Sequence, residues 1–114
     1  MGVENNEAVL AITWDESSIA KAKDWISQLD QRHQRLFAFV PALTNGKETV
    51  ILAPDGSKKG WSTANEIQEL RDSFVKFLDS DDVWFTWVEV GFGEYGQTVL
   101  RGNNSNCYGD DYAA

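Results

Sequence analysis

The sequence predicts an α+β domain in which two helices pack on one face of an antiparallel sheet. Three observations carry that expectation. Four apolar runs, near 8–14, 35–43, 49–53 and 83–92, have the length and composition of strands. Two stretches, about 17–33 and 64–79, repeat apolar residues at helical spacing. Between the second and third runs stands Asn45-Gly46, a strong short signal for a hairpin because a type I′ turn needs positive φ at both central residues. A chain of 114 residues is long enough for one domain with a sizeable core.

The first strand, "AVLAITW", is apolar at alternate and intervening positions alike, as a strand covered on both faces would be. Asp15, Ser17 and Ser18 then offer cap side chains, and Ile19, Ala22, Ile26 and Leu29 recur on one helical face, with Trp25 on its flank. Arg32 and His33 fall in the last turn, where positive charge suits the helix dipole. "RLFAFVPAL" is the second strand. Pro41 cannot donate to a ladder, so this strand is expected at a sheet edge. A two-residue turn would place Thr44 opposite Lys47, Val40 opposite Ile51 and Phe39 opposite Leu52.

Thr63 and Glu66 have capping-box spacing ahead of Ile67, Leu70, Phe74, Phe77 and Leu78, which predicts the second helix. "VWFTWVEVGF" is the fourth strand. "GEYG" is a turn, and "QTVLRG" a short fifth strand returning beside the fourth. Residues 1–102 form the expected domain, and the polar tail 103–114 is expected to be mobile. The resulting order, βαββαβ with an added β, resembles the ferredoxin-like split-βαβ arrangement, a two-layer sandwich whose second strand lies at an edge. A likeness of fold implies no particular function.

Charge and composition narrow the function classes. Eighteen acidic against ten basic residues leave a net charge of −8, which opposes direct nucleic-acid binding and attachment to anionic membranes. It suits a basic protein partner. The single cysteine, Cys107, precludes an intramolecular disulfide and favours a reducing compartment. With no basic, apolar leader in "MGVENNEAVLAITW", the expectation is a cytoplasmic protein. "NNS" at 103–105 spells a glycosylation acceptor that would matter only in a secreted chain.

Motifs for chemistry are sparse. "PDGSKKGWST" joins a strand to a helix, but its lysines precede Gly60, unlike a phosphate-binding loop, where lysine follows the glycine. Ser57, Lys58, Lys59 and Trp61 are carried forward as a weak candidate loop for an anion or partner. The plainer reading is an Asp-Gly turn, with Trp61 as an imperfect hydrophobic staple. "DSDDVWFTWVEV" begins like a calcium loop but has Trp84 where glycine is needed and Val90 at position twelve. One histidine and one cysteine offer poor material for zinc or a nucleophile–base pair, so no catalytic residue, metal or cofactor is assigned.

Two-sided apolarity is the remaining signal. The bulkier alternation, Leu10, Ile12, Trp14, Phe37, Phe39, Val50, Leu52, Trp84, Val88 and Val90, is expected to meet the helices. The opposite alternation, with Val40, Ile51, Phe85 and Trp87 as candidate contacts, is expected to stay uncovered and to bind a second copy of the chain. The competing cover is the tail itself, with Tyr108 and Tyr112 as a lid. The alternative functions are an acidic inhibitor or nucleic-acid mimic acting on a DNA- or RNA-binding protein, and a small-molecule binder with an aromatic pocket.

Overall fold

In the computed structural model, residues 5–58, 60–94 and 96–103 are described. The elements are β1 (Asn5–Thr13), α1 (Glu16–Ser27), α2 (Gln31–Gln34), β2 (Phe37–Pro41), β3 (Glu48–Leu52), α3 (Ser62–Leu78), β4 (Thr86–Gly93) and β5 (Gly96–Gly102). The chain is a small α+β domain with a five-stranded sheet in the order β2-β3-β1-β4-β5, and every neighbouring pair is antiparallel. Pro41 closes β2 at one edge of the sheet. At the other edge β5 lies beyond β4.

Three local expectations are corrected. The first helix ends at Ser27. Asp30 takes an extended ψ of 142°, and its carboxylate accepts the Arg32 N–H, so the chain starts a new short helix, α2, there. Aspartate prefers such caps to helix interiors because its side chain competes for backbone donors. The β2–β3 hairpin pairs Phe39 with Val50 and Val40 with Thr49, two residues out from the expected register. Asn45 and Gly46 do adopt φ of 65° and 61°, but Ala42 N–H donates to the Lys47 carbonyl, leaving Leu43–Gly46 as a four-residue loop. A slip of two residues keeps every side chain on its face, so hydrophobic patterning cannot detect it. Thirdly, α3 starts at Ser62 with Trp61 at the cap position and no side-chain cap. Thr63 is then already inside the first turn, and the capping box does not form.

Asp15 does cap α1: its carboxylate accepts the Ser18 N–H at 3.2 Å and the Ser18 hydroxyl at 2.6 Å. Ser18 Oγ in turn accepts the Trp84 N–H at 2.8 Å, tying the start of α1 to the approach to β4. α1 buries Ile19, Ala22 and Ile26, and α3 buries Ile67, Leu70, Phe74 and Leu78, at helical spacing. Both stripes meet the sheet face carrying Val9, Ala11, Val50, Leu52 and Trp87, with Phe85 of the α3–β4 connection beside them. Fully burying a side chain of the Leu or Phe class stabilises by about 1.5–3 kcal/mol. Between the helices Trp25 stacks on Phe77 at 5.5 Å, and Phe37 meets Phe74 edge-on at 5.1 Å.

Candidate functional site

Which sheet face is uncovered follows from burial along the strands. On β1, Val9 and Ala11 are buried, while Leu10, Ile12 and Trp14 beyond its end are exposed. On β4, Trp87 and Glu89 are buried, and Thr86, Val88 and Val90 are half-buried on the other side. Register joins these into rows across the open face: Ala38–Ile51–Leu10–Val88, then Val40–Thr49–Ile12–Thr86, with Val90 between Ala8 and Val99. No strand residue on this face is charged among the described residues.

Val40 and Ile51 therefore lie on the uncovered face as expected. Phe85 and Trp87 do not: they are 6 % and 5 % exposed and belong to the core. The assignment of faces is inverted in β1 and β4. Trp14 and Trp84, expected inside, are 67 % and 70 % exposed. Small residues were needed under the helices on β1, and the Trp87 indole found a partner inside, donating from Nε1 to Asp79 Oδ1 at 2.7 Å. A buried indole with a satisfied N–H is a stable core residue.

The loop before α3 is held by its own polar groups. The Ser57 hydroxyl bonds the Asp55 carboxylate and shares a 2.8 Å hydrogen bond with the Thr63 hydroxyl. Lys58 is half-buried and Trp61 is exposed; Lys59 lies outside the described residues. Trp61 lines a cleft of about 300 Å³ with Leu36, Ser57, Thr63, Arg32 and His33. These last two side chains were missed as part of this neighbourhood, because only the α2 break brings them across to α3. Both are taken by Glu66, His33 Nε2 at 2.5 Å and Arg32 at 2.7 Å. The hydrogen bonds from His33 and then Arg32 hold the Glu66 carboxyl below its ordinary value. The Glu66 carboxylate, held by Arg32 and His33 near the helix start, disfavours an incoming anion, so this cleft offers no phosphate cradle.

A second polar cluster runs through the core edge. Arg71, 6 % exposed on α3, pairs with Glu7 at 2.9 Å and faces Glu89, 2 % exposed, at 3.4 Å. Arg101 bridges Glu89 at 2.6 Å and Asp72 at 2.8 Å, so Asp72 is paired across the structure as well as lying four residues before Lys76. Arg71 also donates to Gln68 at 2.8 Å. Two guanidiniums here are shared among three carboxylates, which makes a tether between α3, β1, β4 and β5. Among the described residues no group of three or more His, Cys, Asp or Glu is placed to hold a metal ion, and no helix is long and apolar enough to cross a membrane. Cys107, Tyr108 and Tyr112 lie outside the described residues. No protein-family model matches the chain, and neither a curated protein nor a solved structure matches it.

Proposed function

We propose that this protein is a non-enzymatic, cytoplasmic interaction domain that self-associates as a symmetric dimer through the uncovered sheet face. One observation carries the reading: in a chain of net charge −8, the strand positions of a whole sheet face hold no charge and are mostly aliphatic. Such a face is where a like-charged second copy can approach without juxtaposing carboxylates. Strands about 4.8 Å apart and residues about 3.3 Å apart make this face roughly 24 by 20 Å, or about 500 Å² per subunit if flat. Two such faces reach the roughly 1,000 Å² expected of a specific interface. The central contacts would be Leu10, Ile12, Ile51, Val88 and Val40. We read the first four strands as a ferredoxin-like split-βαβ with β5 appended, supported by β1 lying between β3 and β4.

Light scattering with sedimentation tests the reading. The full chain is expected to be dimeric at high micromolar concentration, as is a chain ending at Asn103. Leu10→Asp is expected to be folded and monomeric. A monomeric full chain that aggregates once residues 104–114 are removed would overturn the dimer and make the tail the cover. A monomer that stays soluble when shortened would return the acidic-mimic reading.

A further inference from the structure

The end of the sheet holds a second surface of different chemistry. Trp14 follows β1 and Trp84 precedes β4, and because these strands are antiparallel neighbours the two residues fall at the same end of the sheet. They are the most exposed of the five tryptophans, at 67 % and 70 %. Both line one cleft of about 350 Å³, with Leu78, Asp79 and Ser80 at the end of α3. Among the described residues neither indole stacks on another ring, so their faces are open to a ligand.

The cleft is negative. Asp79 is the only charged residue among the described ones lining it. α3 ends there, at Leu78, which sets the negative pole of its dipole beside the cleft. Asp81 and Asp82 follow in the same turn. Asp79 is held in position by the Trp87 indole at 2.7 Å, and a carboxylate so engaged retains further lone pairs. Exposed indole faces, a fixed carboxylate and a helix C-terminus together favour a planar cation.

We propose that this cleft binds an arginine side chain of a basic protein partner, its guanidinium held against both the Trp14 and Trp84 indoles and hydrogen-bonded to Asp79. Guanidinium is preferred over ammonium because it is planar, stacks on aromatic faces and is weakly hydrated. The cleft borders the proposed dimer contact, sharing Ile12 and Thr86 with its last row, but the argument for it does not rest on that reading.

The test is a titration of the full ¹⁵N-labelled protein with acetyl-Gly-Arg-Gly-amide, followed at the indole N–H signals. Saturable shifts at Trp14 and Trp84 are expected. The arginine peptide should bind at least about fivefold tighter than its citrulline analogue, and Trp14→Ala, Trp84→Ala and Asp79→Asn should each weaken it by a similar factor. Asp79→Asn keeps an oxygen for the Trp87 N–H, so it separates charge from core packing. Leu10→Asp, which lies outside the cleft lining, should retain or tighten peptide binding, so a failed dimer and a failed cleft remain distinguishable. Equal binding of the citrulline peptide, or undiminished affinity in folded Trp84→Ala, overturns the proposal. A lysine peptide binding as tightly as arginine overturns the stacking part of it.

Discussion

Arg101 on edge strand β5 stands beside Glu89 on β4, Nε to Oε1 at 2.6 Å, and shares that carboxylate with Arg71 of α3. The Glu89 side chain is only 3 % exposed, against 38 % for Arg101 and 8 % for Arg71. The Glu89 contact, the first of its causes, raises the Arg101 pKa further above its ordinary value. Arg71 Nε and Glu89 Oε2 make no hydrogen bond, so the buried pair is held by charge alone at that point.

Removing the carboxylate is therefore expected to cost more than removing the pair. Glu89→Leu leaves Arg71 buried with Glu7 as its one acidic partner among the described residues and should destabilise by about 3–5 kcal/mol in urea unfolding. Arg71→Met combined with Glu89→Leu removes both desolvated charges and should cost less than Glu89→Leu alone. A double variant less stable than Glu89→Leu would show that the network contributes net stability beyond mutual neutralisation.

The Glu66 carboxyl gives a pH dependence of known sign. Its folded pKa lies below its ordinary 4.5, through hydrogen bonds from His33 and then Arg32. A depressed acid contributes stability that is present above the unfolded value and is lost as pH falls through the folded one. Stability of the wild-type chain should thus decline below about pH 4.5, and Glu66→Gln should decline less steeply over that range. Carboxyl ¹³C shifts should show Glu66 titrating late, and nearer its ordinary value in His33→Ala. An unshifted Glu66 midpoint in the wild-type chain would contradict the triad.

The element types were legible because each rests on local periodicity: Ile67, Leu70 and Phe74 mark α3 whatever they pack against. The β2–β3 faces were also legible, since Phe37 and Phe39 are bulkier than their neighbours and do go inside, and hairpin pairing carries Val50 and Leu52 to the same face. In β1 and β4 bulk misled. Both alternations are apolar there, and a strand apolar on two sides contains no information about which side the helices take. Glu89 and Trp87 share a parity, and burial of that carboxylate depends on Arg71 and Arg101, residues distant in the chain. The Arg32–His33–Glu66 contact was illegible for a similar reason, as it required the helix break at Asp30.

Gly46→Val probes the hairpin. A Cβ on Gly46 would meet nothing within 4 Å, so space is not limiting, but φ is +61°. Left-handed geometry costs an L-residue about 1–2 kcal/mol, more for a β-branched one. The thermal midpoint should fall accordingly, while Asn45→Gly should leave it nearly unchanged. An unaltered midpoint in Gly46→Val would mean that the loop adopts another turn.

Asn103 fastens the last described residues to the start of β4. Its Oδ1 accepts the Trp87 N–H at 3.1 Å, its Nδ2 donates to the Phe85 carbonyl at 2.7 Å, and its own N–H donates to the Trp87 carbonyl. Asn103→Ala strips partners from two backbone groups and is expected to cost about 1–3 kcal/mol in urea unfolding. Asn103→Asp keeps the acceptor but loses the donor, and should fall between the two. Stability equal to wild type in Asn103→Ala would show that water replaces the side chain at no cost.

Concentration dependence separates core from interface among the apolar strand residues. If dimerisation is linked to folding, the midpoint should rise with protein concentration, because the associated state is favoured by mass action. Leu10, 37 % exposed at the centre of the open face, borders Ile51 and Val88. Leu10→Asp places like charges across the two-fold axis and should abolish that rise while leaving the dilute-solution midpoint close to wild type. Trp87 sits on the opposite face, 5 % exposed, with its indole bonded to Asp79. Trp87→Glu buries an unpaired carboxylate and should unfold the chain at every concentration, and Trp87→Phe should keep the concentration dependence while lowering stability by about 1–3 kcal/mol through lost packing and hydrogen bonding. A folded, monomeric Trp87→Glu would place the interface on the helix-facing side and reverse the assignment of faces.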